Sequence, residues 1–184
     1  MTTDRLSKAM NAALNAQMTK EAEAAQIYLA LGAWADYNGY GGICNFLFRH
    51  AHEERNHMIK FLTYILERGS KATVTAVPGP GDDPTSIQDC FNKVFEQEVS
   101  NTESIYKIVK LSFDEQDWAT WNFLQWFVKE QVEEETLALK LLDKIKIAGG
   151  PKAAPEALQE LDTELGKMPD EAPAARSATS ANPL

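Results

Sequence analysis

The stretch His50-Ala51-His52-Glu53-Glu54-Arg55-Asn56-His57 decides how this sequence folds. Within it, Glu54 and His57 stand three positions apart, so on a helix their side chains share one face. Both also belong to an apolar series, stepping by three and four residues from Ile43 to Tyr64, which is typical of a helix packed against a helical core. A buried carboxylate beside an imidazole is costly unless a proton, a cation or a metal ion compensates its charge. One such pair is as compatible with a structural ion pair or a core histidine as with a metal site. The choice between them depends on whether the other helices supply further ligands.

The composition indicates one globular domain. The chain has 184 residues, of which 44% are hydrophobic, enough for a single core. A net charge of -9 argues against a nucleic-acid partner, because phosphate binding needs a basic surface, and it suits a protein that attracts cations. Cys44 and Cys90 form no C-x-x-C pair, which fits free thiols in a reducing compartment. With no signal-peptide pattern and no apolar run of membrane-spanning length, we expect a cytoplasmic protein with no membrane partner.

The hydrophobic periodicity predicts an all-α fold with four long helices. The predicted helices cover 6–36 and 42–68, then one that begins near residue 86 and one that ends near residue 147. The links between them are short, long and short, because residues 69–85 form an irregular segment rich in proline and glycine. This order predicts a four-helix bundle with one long crossover between the second and third helices.

The chain divides into three predicted parts. Residues 1–150 form the bundle, and residues 151–167 form a short fifth helix with one modest apolar stripe. Residues 168–184 are rich in proline, alanine, serine and threonine, a composition that predicts a flexible tail.

Acidic residues interrupt the apolar stripe of each long helix near its middle. The interruptions are Glu21, Glu54 with His57, Glu98, and Glu130 with Glu134. Mid-helix positions share one level of a bundle, so these side chains should converge. Several carboxylates in an apolar interior need counter-charge, and no lysine or arginine lies on the stripes near them. Two divalent metal ions would supply that charge, with Glu54 able to bridge them; iron or manganese suits the donor set, and zinc also fits.

Further acids lie beside the predicted cluster. Glu130 and Glu133 share a helix face, and Glu53 lies one residue off its stripe, so these three residues could hold a third ion. The alternative for Glu133 is a solvated face, and a solvated face is the preferred interpretation for Glu135.

Three motifs resemble those of the non-haem bacterial ferritins, across nearly all of residues 6–147. The matching stretches are Leu14-Asn15-x-Gln17-Met18-x-x-Glu21, Arg49-His50-Ala51-x-Glu53-Glu54-x-x-His57-Met58 and Asn122-Phe123-Leu124-Gln125-Trp126-x-Val128-x-Glu130-Gln131-x-Glu133-Glu134. Long motifs on three helices are far more specific than a lone E-x-x-H. The resemblance implies a homo-oligomeric, hollow 24-mer shell that stores ferric mineral, with a ferroxidase centre in each subunit that oxidises Fe(II) with dioxygen.

The resemblance also implies roles for individual residues. By position, the iron ligands are Glu21, Glu54 and His57 for the first site, Glu54, Glu98 and Glu134 for the second, and Glu53, Glu130 and Glu133 for the third. Tyr28, seven residues after Glu21 on the same stripe, matches a family tyrosine beside the centre and is a candidate electron donor. Trp126 is either a second donor or a core residue, and His50 either supports the ligands or packs.

Two sequence features separate this chain from other di-iron proteins of the same fold. The fourth helix offers Glu130-x-x-Glu133-Glu134 and no second E-x-x-H, which argues against a bacterioferritin or a di-iron oxygenase. Arg55 stands where bacterioferritins carry a haem-ligating methionine, so no haem is expected. Two rival interpretations stay open at this point: a non-catalytic ferritin-like structural subunit, and a di-iron oxidase that does not serve storage.

Overall fold

In the computed structural model, which describes residues 4–168, five α-helices follow one another along the chain. They are α1 (Lys8–Tyr37), α2 (Gly41–Glu67), α3 (Ile87–Asp114), α4 (Trp118–Ile147) and α5 (Pro155–Lys167). A 3₁₀ turn at Gly150–Lys152 separates the last two. The prediction of an all-α bundle with a short fifth helix is therefore confirmed. The predicted tail falls almost entirely on residues 169–184, outside the described residues.

Side-chain caps explain where the long helices begin. Ser7 accepts a hydrogen bond from the amide of Met10 at 2.9 Å, and Ser86 accepts one from the amide of Asp89 at 3.1 Å. Asp117 does the same at the start of α4. Such caps satisfy amides that have no partner inside the helix. At the start of α3, the Asp89 carboxylate also accepts from the amide of Thr85, at 2.8 Å.

The helices pack as two hairpins. α1 packs along α2, α3 packs along α4, and α1 also contacts α3. The crossover between α2 and α3 is tied to the side of α1 by Asn15, which donates to the carbonyl of Lys71 at 3.1 Å and accepts from the amide of Thr73 at 2.7 Å. The long crossover therefore lies against α1 and leaves the interior to the four helices.

The core consists of two apolar clusters with a polar layer between them. One cluster is built around Tyr28, Ile43 and Phe91, and the other around Phe61 and Phe127. On every long helix, at least one buried acid lies between the residues that enter one cluster and those that enter the other. Each helix thus contributes its mid-helix polar side chains to the same level of the bundle, as the sequence predicts.

The prediction was partly wrong for α4. The hydrophobic periodicity of this helix predicts six core positions, of which Phe127, Glu134 and Leu141 are buried, while the other three are only half-buried. Those three are Phe123, Glu130 and Leu137. The buried face instead includes the residue that follows each of them, Leu124, Gln131 and Ala138. The helix is therefore rotated relative to the predicted stripe, and it presents an amide to the polar layer where the sequence suggested a carboxylate.

α5 docks on the first turn of α2. The carboxylate of Asp162 accepts from the amide of Ile43 at 2.8 Å, and Arg49 donates to the carbonyl of Leu165 at 2.8 Å. Gly42 makes this approach possible, because a Cβ there would overlap the Asp162 carbonyl oxygen. Asp162 is buried, so its carboxylate serves as a long-range cap for α2. No helix among residues 4–168 is long and apolar enough to span a membrane.

Candidate metal centre

Glu21 is fully buried at the middle of α1, and amide groups orient both of its carboxylate oxygens. Gln17 donates to one oxygen at 2.7 Å, and Asn101 donates to the other at 3.1 Å. Gln17 also donates to the side-chain oxygen of Asn101 at 2.5 Å. These two amides hold the carboxylate in place but bring no positive charge to it.

Glu54 and His57 extend this group from α2. Their ligand atoms and those of Glu21 all lie within 4.8 Å of one another, a spacing that one metal ion can bridge. His57 Nδ1 lies 3.3 Å from a carboxylate oxygen of Glu54. His57 Nε2 is buried and has no hydrogen-bond partner. Burial lowers the pKa of His57 to about 3, so the ring is neutral and can offer a lone pair to a metal.

Glu98 supplies a third buried carboxylate from α3. The Tyr28 hydroxyl donates to one of its oxygens at 2.5 Å, and Gln131 donates to the other at 3.1 Å. Gln131 lies within hydrogen-bond distance of Thr102 as well, at 3.3 Å. Glu98 is thus held by donors from α1 and α4, and its oxygens do not join the Glu21, Glu54 and His57 cluster.

Glu134 approaches from α4 and forms a second candidate cluster with His50 and Glu53. His50 Nδ1 lies 3.6 Å from a Glu134 oxygen and 3.7 Å from a Glu53 oxygen. The imidazole ring of His50 stacks on Tyr28, with 5.5 Å between ring centroids. His50 therefore packs on Tyr28 and also lies beside two carboxylates.

A third candidate cluster joins Glu53, His57 and Glu130. Glu133 belongs to none of the three clusters; its side chain is exposed and pairs with Lys129 at 3.2 Å. Glu135 was predicted on a solvated face, but it is half-buried and accepts a hydrogen bond from Thr102.

The electrostatics of the polar layer favour protons or cations. Burial raises the pKa of Glu98 to about 7 and that of Glu134 to about 9, and the charge of Glu98 adds to the effect on Glu134. Burial, followed by the charges of Glu98 and Glu21, raises the pKa of Glu54 well above its usual range. Burial also raises the pKa of Glu21, against the hydrogen bonds that favour its ionised form. Metal ions can replace these protons, so the carboxylate and imidazole donors fit divalent iron.

A model of the ferritin-like domain matches residues 11–148. A probable bacterial non-heme ferritin-like protein of Haemophilus influenzae is 37% identical over 155 residues, covering 84% of this chain and 92% of that protein. A bacterial non-heme ferritin of Campylobacter jejuni is 41% identical over 144 residues, covering 78% and 86%. The open-pore ferritin of Archaeoglobus fulgidus superposes with a TM-score of 0.85 at 36% identity, covering 92% of this chain and 100% of that one.

The chain belongs to the ferritin family. The resemblance found in the three sequence motifs is therefore confirmed. In this ferritin, six of the eight predicted iron ligands lie in one of the clusters, and Glu98 and Glu133 do not; Tyr28 donates a hydrogen bond to Glu98.

The sequence reasoning missed the amides that hold the ligands. Gln17 and Asn101 stand on the predicted core stripes, where a buried amide must find a partner, so their positions carried a signal. The position of Gln131 carried a weaker signal, because this residue lies in an acidic run and off the stripe predicted for α4. These residues make the iron-free layer a hydrogen-bonded network.

The pKa directions predict how the stability of this ferritin depends on pH without metal. Glu98 and Glu134 hold protons in the folded state up to about 7 and about 9, while unfolded glutamates lose theirs near 4.5. Their contribution is complete below the unfolded value and disappears as the pH rises through the folded values, at about 1.4 kcal/mol per pH unit for each proton. His57 acts in the opposite sense, but only below its unfolded value of 6.5. We therefore expect the melting temperature to fall between pH 6.5 and 9.

The measurement is thermal unfolding in the presence of a chelator, repeated with the Glu134→Gln variant. The melting temperature of the variant should fall less steeply with pH than that of the wild type. Addition of Zn²⁺ at the alkaline end of the range should restore the melting temperature of the wild type. A melting temperature that stays level or rises over this range would contradict the assignment of protons to the carboxylate layer.

Proposed function

We propose that this ferritin oxidises Fe(II) with dioxygen at paired sites inside the bundle and stores the ferric product as mineral in a hollow shell. The single observation that carries the proposal is the buried cluster of Glu21, Glu54 and His57, whose ligand atoms lie within 4.8 Å of one another. Its family membership and the names of its relatives support the storage part, since the curated relatives are called non-heme ferritins.

The proposed ligand sets follow the predicted ones. Glu21, Glu54 and His57 hold the first iron; Glu54, Glu98 and Glu134 hold the second; Glu53, Glu130 and Glu133 hold a third. Each Fe(II) gives one electron towards dioxygen, and the protein contributes fixed anionic ligands that favour the more highly charged ferric product. For the second site, Glu98 must exchange its hydrogen bond from Gln131 for a metal contact while it keeps the one from Tyr28, and for the third, Glu133 must leave Lys129.

Tyr28 is positioned to act as an additional electron donor. Its hydroxyl donates to the Glu98 carboxylate at 2.5 Å, so a proton acceptor is in place if the phenol gives up an electron. Burial and the neighbouring charge of Glu98 raise the pKa of Tyr28 well above its usual range, which keeps the phenol protonated until then. Trp126 has a different environment, with the ammonium of Lys60 lying 3.6 Å from its ring centroid. A cation on the ring face disfavours loss of an electron, so Tyr28 is the better donor.

The storage part requires assembly, for which we propose a homo-oligomeric 24-mer. Large apolar side chains are exposed on the isolated chain, among them Tyr37 at 91%, Ile147 at 86% and Phe113 at 60% exposure. Exposed apolar surface of this kind suits contacts between subunits. We further propose that residues 1–150 form the functional bundle and that the protein works in the cytoplasm, where Cys44 and Cys90 stay reduced; both are free and buried.

The test is aerobic addition of Fe(II) to the purified iron-free protein, following ferric absorbance against added iron. We expect a fast phase that saturates at about two irons per subunit, as a paired site requires. Glu21→Gln should lose most of this phase, while Glu23→Gln, a change on the same helix outside the clusters, should keep it. Purified particles should also retain a ferric mineral.

Two results would overturn the proposal. Oxidation no faster than that of free iron, in wild type and variants alike, would favour a structural subunit. Fast oxidation without any retained mineral would favour an oxidase that does not serve storage.

A further inference from the structure

His57 belongs to two candidate metal clusters. One contains Glu21 and Glu54, and the other contains Glu53 and Glu130. Glu53 and Glu54 are adjacent on α2, so His57 follows them by four and three residues, and all three side chains project to one region of the helix surface. A single imidazole therefore lies between the first iron site and the acids proposed for the third.

The two ring nitrogens have different surroundings. Nδ1 lies 3.3 Å from the carboxylate of Glu54, which belongs to the first cluster. Nε2 is buried without a hydrogen-bond partner, on a residue that is 2% exposed. A buried nitrogen without a partner is costly, and a ligand for it would remove that cost. The acids that share a cluster with His57 beyond Glu21 and Glu54 are Glu53 and Glu130, so they are the partners available to Nε2.

Aromatic side chains hold the ring in this position. Trp126 and Phe127 pack nearly perpendicular to it, with centroid separations of 5.3 Å and 5.9 Å and interplanar angles of 75° and 80°. Two rings packed nearly perpendicular to the imidazole oppose its reorientation. The packing therefore keeps Nδ1 beside Glu54.

A neutral imidazole carries hydrogen on one nitrogen and a lone pair on the other. It can bind a metal ion through either nitrogen, but not through both at once. We propose that His57 serves the two clusters in turn, binding an ion beside Glu21 and Glu54 through Nδ1 and an ion beside Glu53 and Glu130 through Nε2, so that ligation on one side excludes ligation on the other. This inference rests on the proposed function for its purpose, the passage of iron out of the paired site.

Exclusion of this kind couples the two clusters. While Nδ1 holds an ion, the Glu53 and Glu130 side lacks its nitrogen ligand, and an ion there is bound by carboxylates alone. When the first ion leaves Nδ1, the ring hydrogen moves to that nitrogen and the Nε2 lone pair becomes available. The second cluster then gains a ligand at the moment the first is emptied.

The experiment uses Zn²⁺, which cannot be oxidised, and locates it by anomalous diffraction in crystals of the assembled protein. In the wild type at saturating Zn²⁺, we expect an ion on Nδ1 and none on Nε2. In Glu21→Ala, which weakens the first cluster only, we expect an ion about 2.0–2.1 Å from Nε2, the usual zinc–nitrogen distance. Glu130→Ala should leave Nδ1 as the only zinc-binding nitrogen of His57. His52→Gln, at an exposed histidine of the same helix, should reproduce the wild-type pattern.

Two substitutions of His57 itself separate the nitrogens. An asparagine side chain reaches the position of Nδ1 and a glutamine side chain reaches that of Nε2. His57→Asn should therefore keep zinc beside Glu21 and Glu54 and lose it from the other cluster, and His57→Gln should do the reverse. These variants also report on folding, because each should retain one zinc position.

The inference is overturned if Nε2 has no zinc bond in Glu21→Ala, or if one ring binds two ions at once in the wild type. In the first case Nε2 only donates a hydrogen bond to a carboxylate and orients the ring. Failure of the proposed function would give a different experimental result from failure of this inference. Iron oxidation would then be absent although zinc fills the first cluster, whereas failure of this inference alone leaves fast oxidation intact.

Discussion

Replacing Glu54 with glutamine is expected to abolish fast iron oxidation and, at the same time, to stabilise the iron-free protein. Glu54 is 2% exposed and is the carboxylate shared by the first and second proposed iron sites, so its loss disables the pair and not one member. The amide of glutamine has the same shape but carries no charge to hold two cations. We expect the oxidation rate to fall by about 100-fold or more, the size seen when a group essential to charge stabilisation is removed.

The gain in stability follows from the same burial. Its burial and the charges of Glu98 and Glu21 raise the pKa of Glu54 well above its usual range, so the folded protein resists its ionisation. At pH 8 the unfolded chain ionises this residue freely, and the difference favours unfolding. Removing the ionisable group should therefore raise the unfolding free energy by about 1–3 kcal/mol. Glutamine is the informative change, because alanine would leave a cavity with its own cost of several kcal/mol.

Both effects can be measured on one preparation, by stopped-flow oxidation and by thermal unfolding in a chelator. Glu67→Gln, at an exposed glutamate on the same helix, is the matched control and should leave both unchanged. If Glu54→Gln instead destabilised the iron-free protein, the carboxylate would be a structural hydrogen-bonding group. The interpretation of the polar layer as a cation-binding site would then be wrong.

A buried acid that binds metal but costs stability is easy to recognise in a sequence. On α1 and α3 the apolar stripe is regular, so Glu21 and Glu98 stand out as acids where a core residue belongs. A fold alone gives no reason to bury these charges. The level of the site could be predicted too, because each acid lies near the middle of its helix.

The register of α4 was harder to predict for a physical reason. Between Glu130 and Glu135 polar residues occupy nearly every position, so the periodicity that identifies a buried face is lost. The structure resolves it by burying Gln131 and Glu134 and leaving Glu133 exposed. Only the packing of α4 against α3, through hydrogen bonds such as that from Gln131 to Glu98, fixes which acids face inward.

The docking of α5 was not predictable at all. Its apolar stripe indicated a helix, but nothing local pairs Asp162 with the amide of Ile43, 119 residues earlier in the chain. The glycines that allow the contact look like part of a turn signal in the sequence. Long-range contacts between a cap and a distant helix leave no periodic trace, so this element requires the structure.

That contact leads to the second large effect: Gly42→Ala should dislodge α5. A Cβ at Gly42 would overlap the carbonyl oxygen of Asp162 and lie 2.7 Å from its carbon, and these are backbone atoms that cannot rotate away. Gly166 makes the same close approach from the other side, since a Cβ there would lie 3.1 Å from the Cα of Gly42. We expect a loss of about 2–5 kcal/mol, within the range for overpacking combined with a lost cap.

The adjacent glycine provides the control. A Cβ at Gly41 meets only one side-chain oxygen of Asp36, at 4.0 Å, so Gly41→Ala should be neutral or should stabilise α2 by up to about 1 kcal/mol through helix propensity. Hydrogen exchange distinguishes the two variants directly, because amides of α5 should lose protection in Gly42→Ala and keep it in Gly41→Ala. Protected α5 amides in Gly42→Ala would show that the helix shifts as a unit and that its docking does not depend on this contact. The first iron cluster should still bind Zn²⁺ in both variants, because Glu21 lies on α1 and its α2 ligands, Glu54 and His57, lie 12 and 15 residues after Gly42.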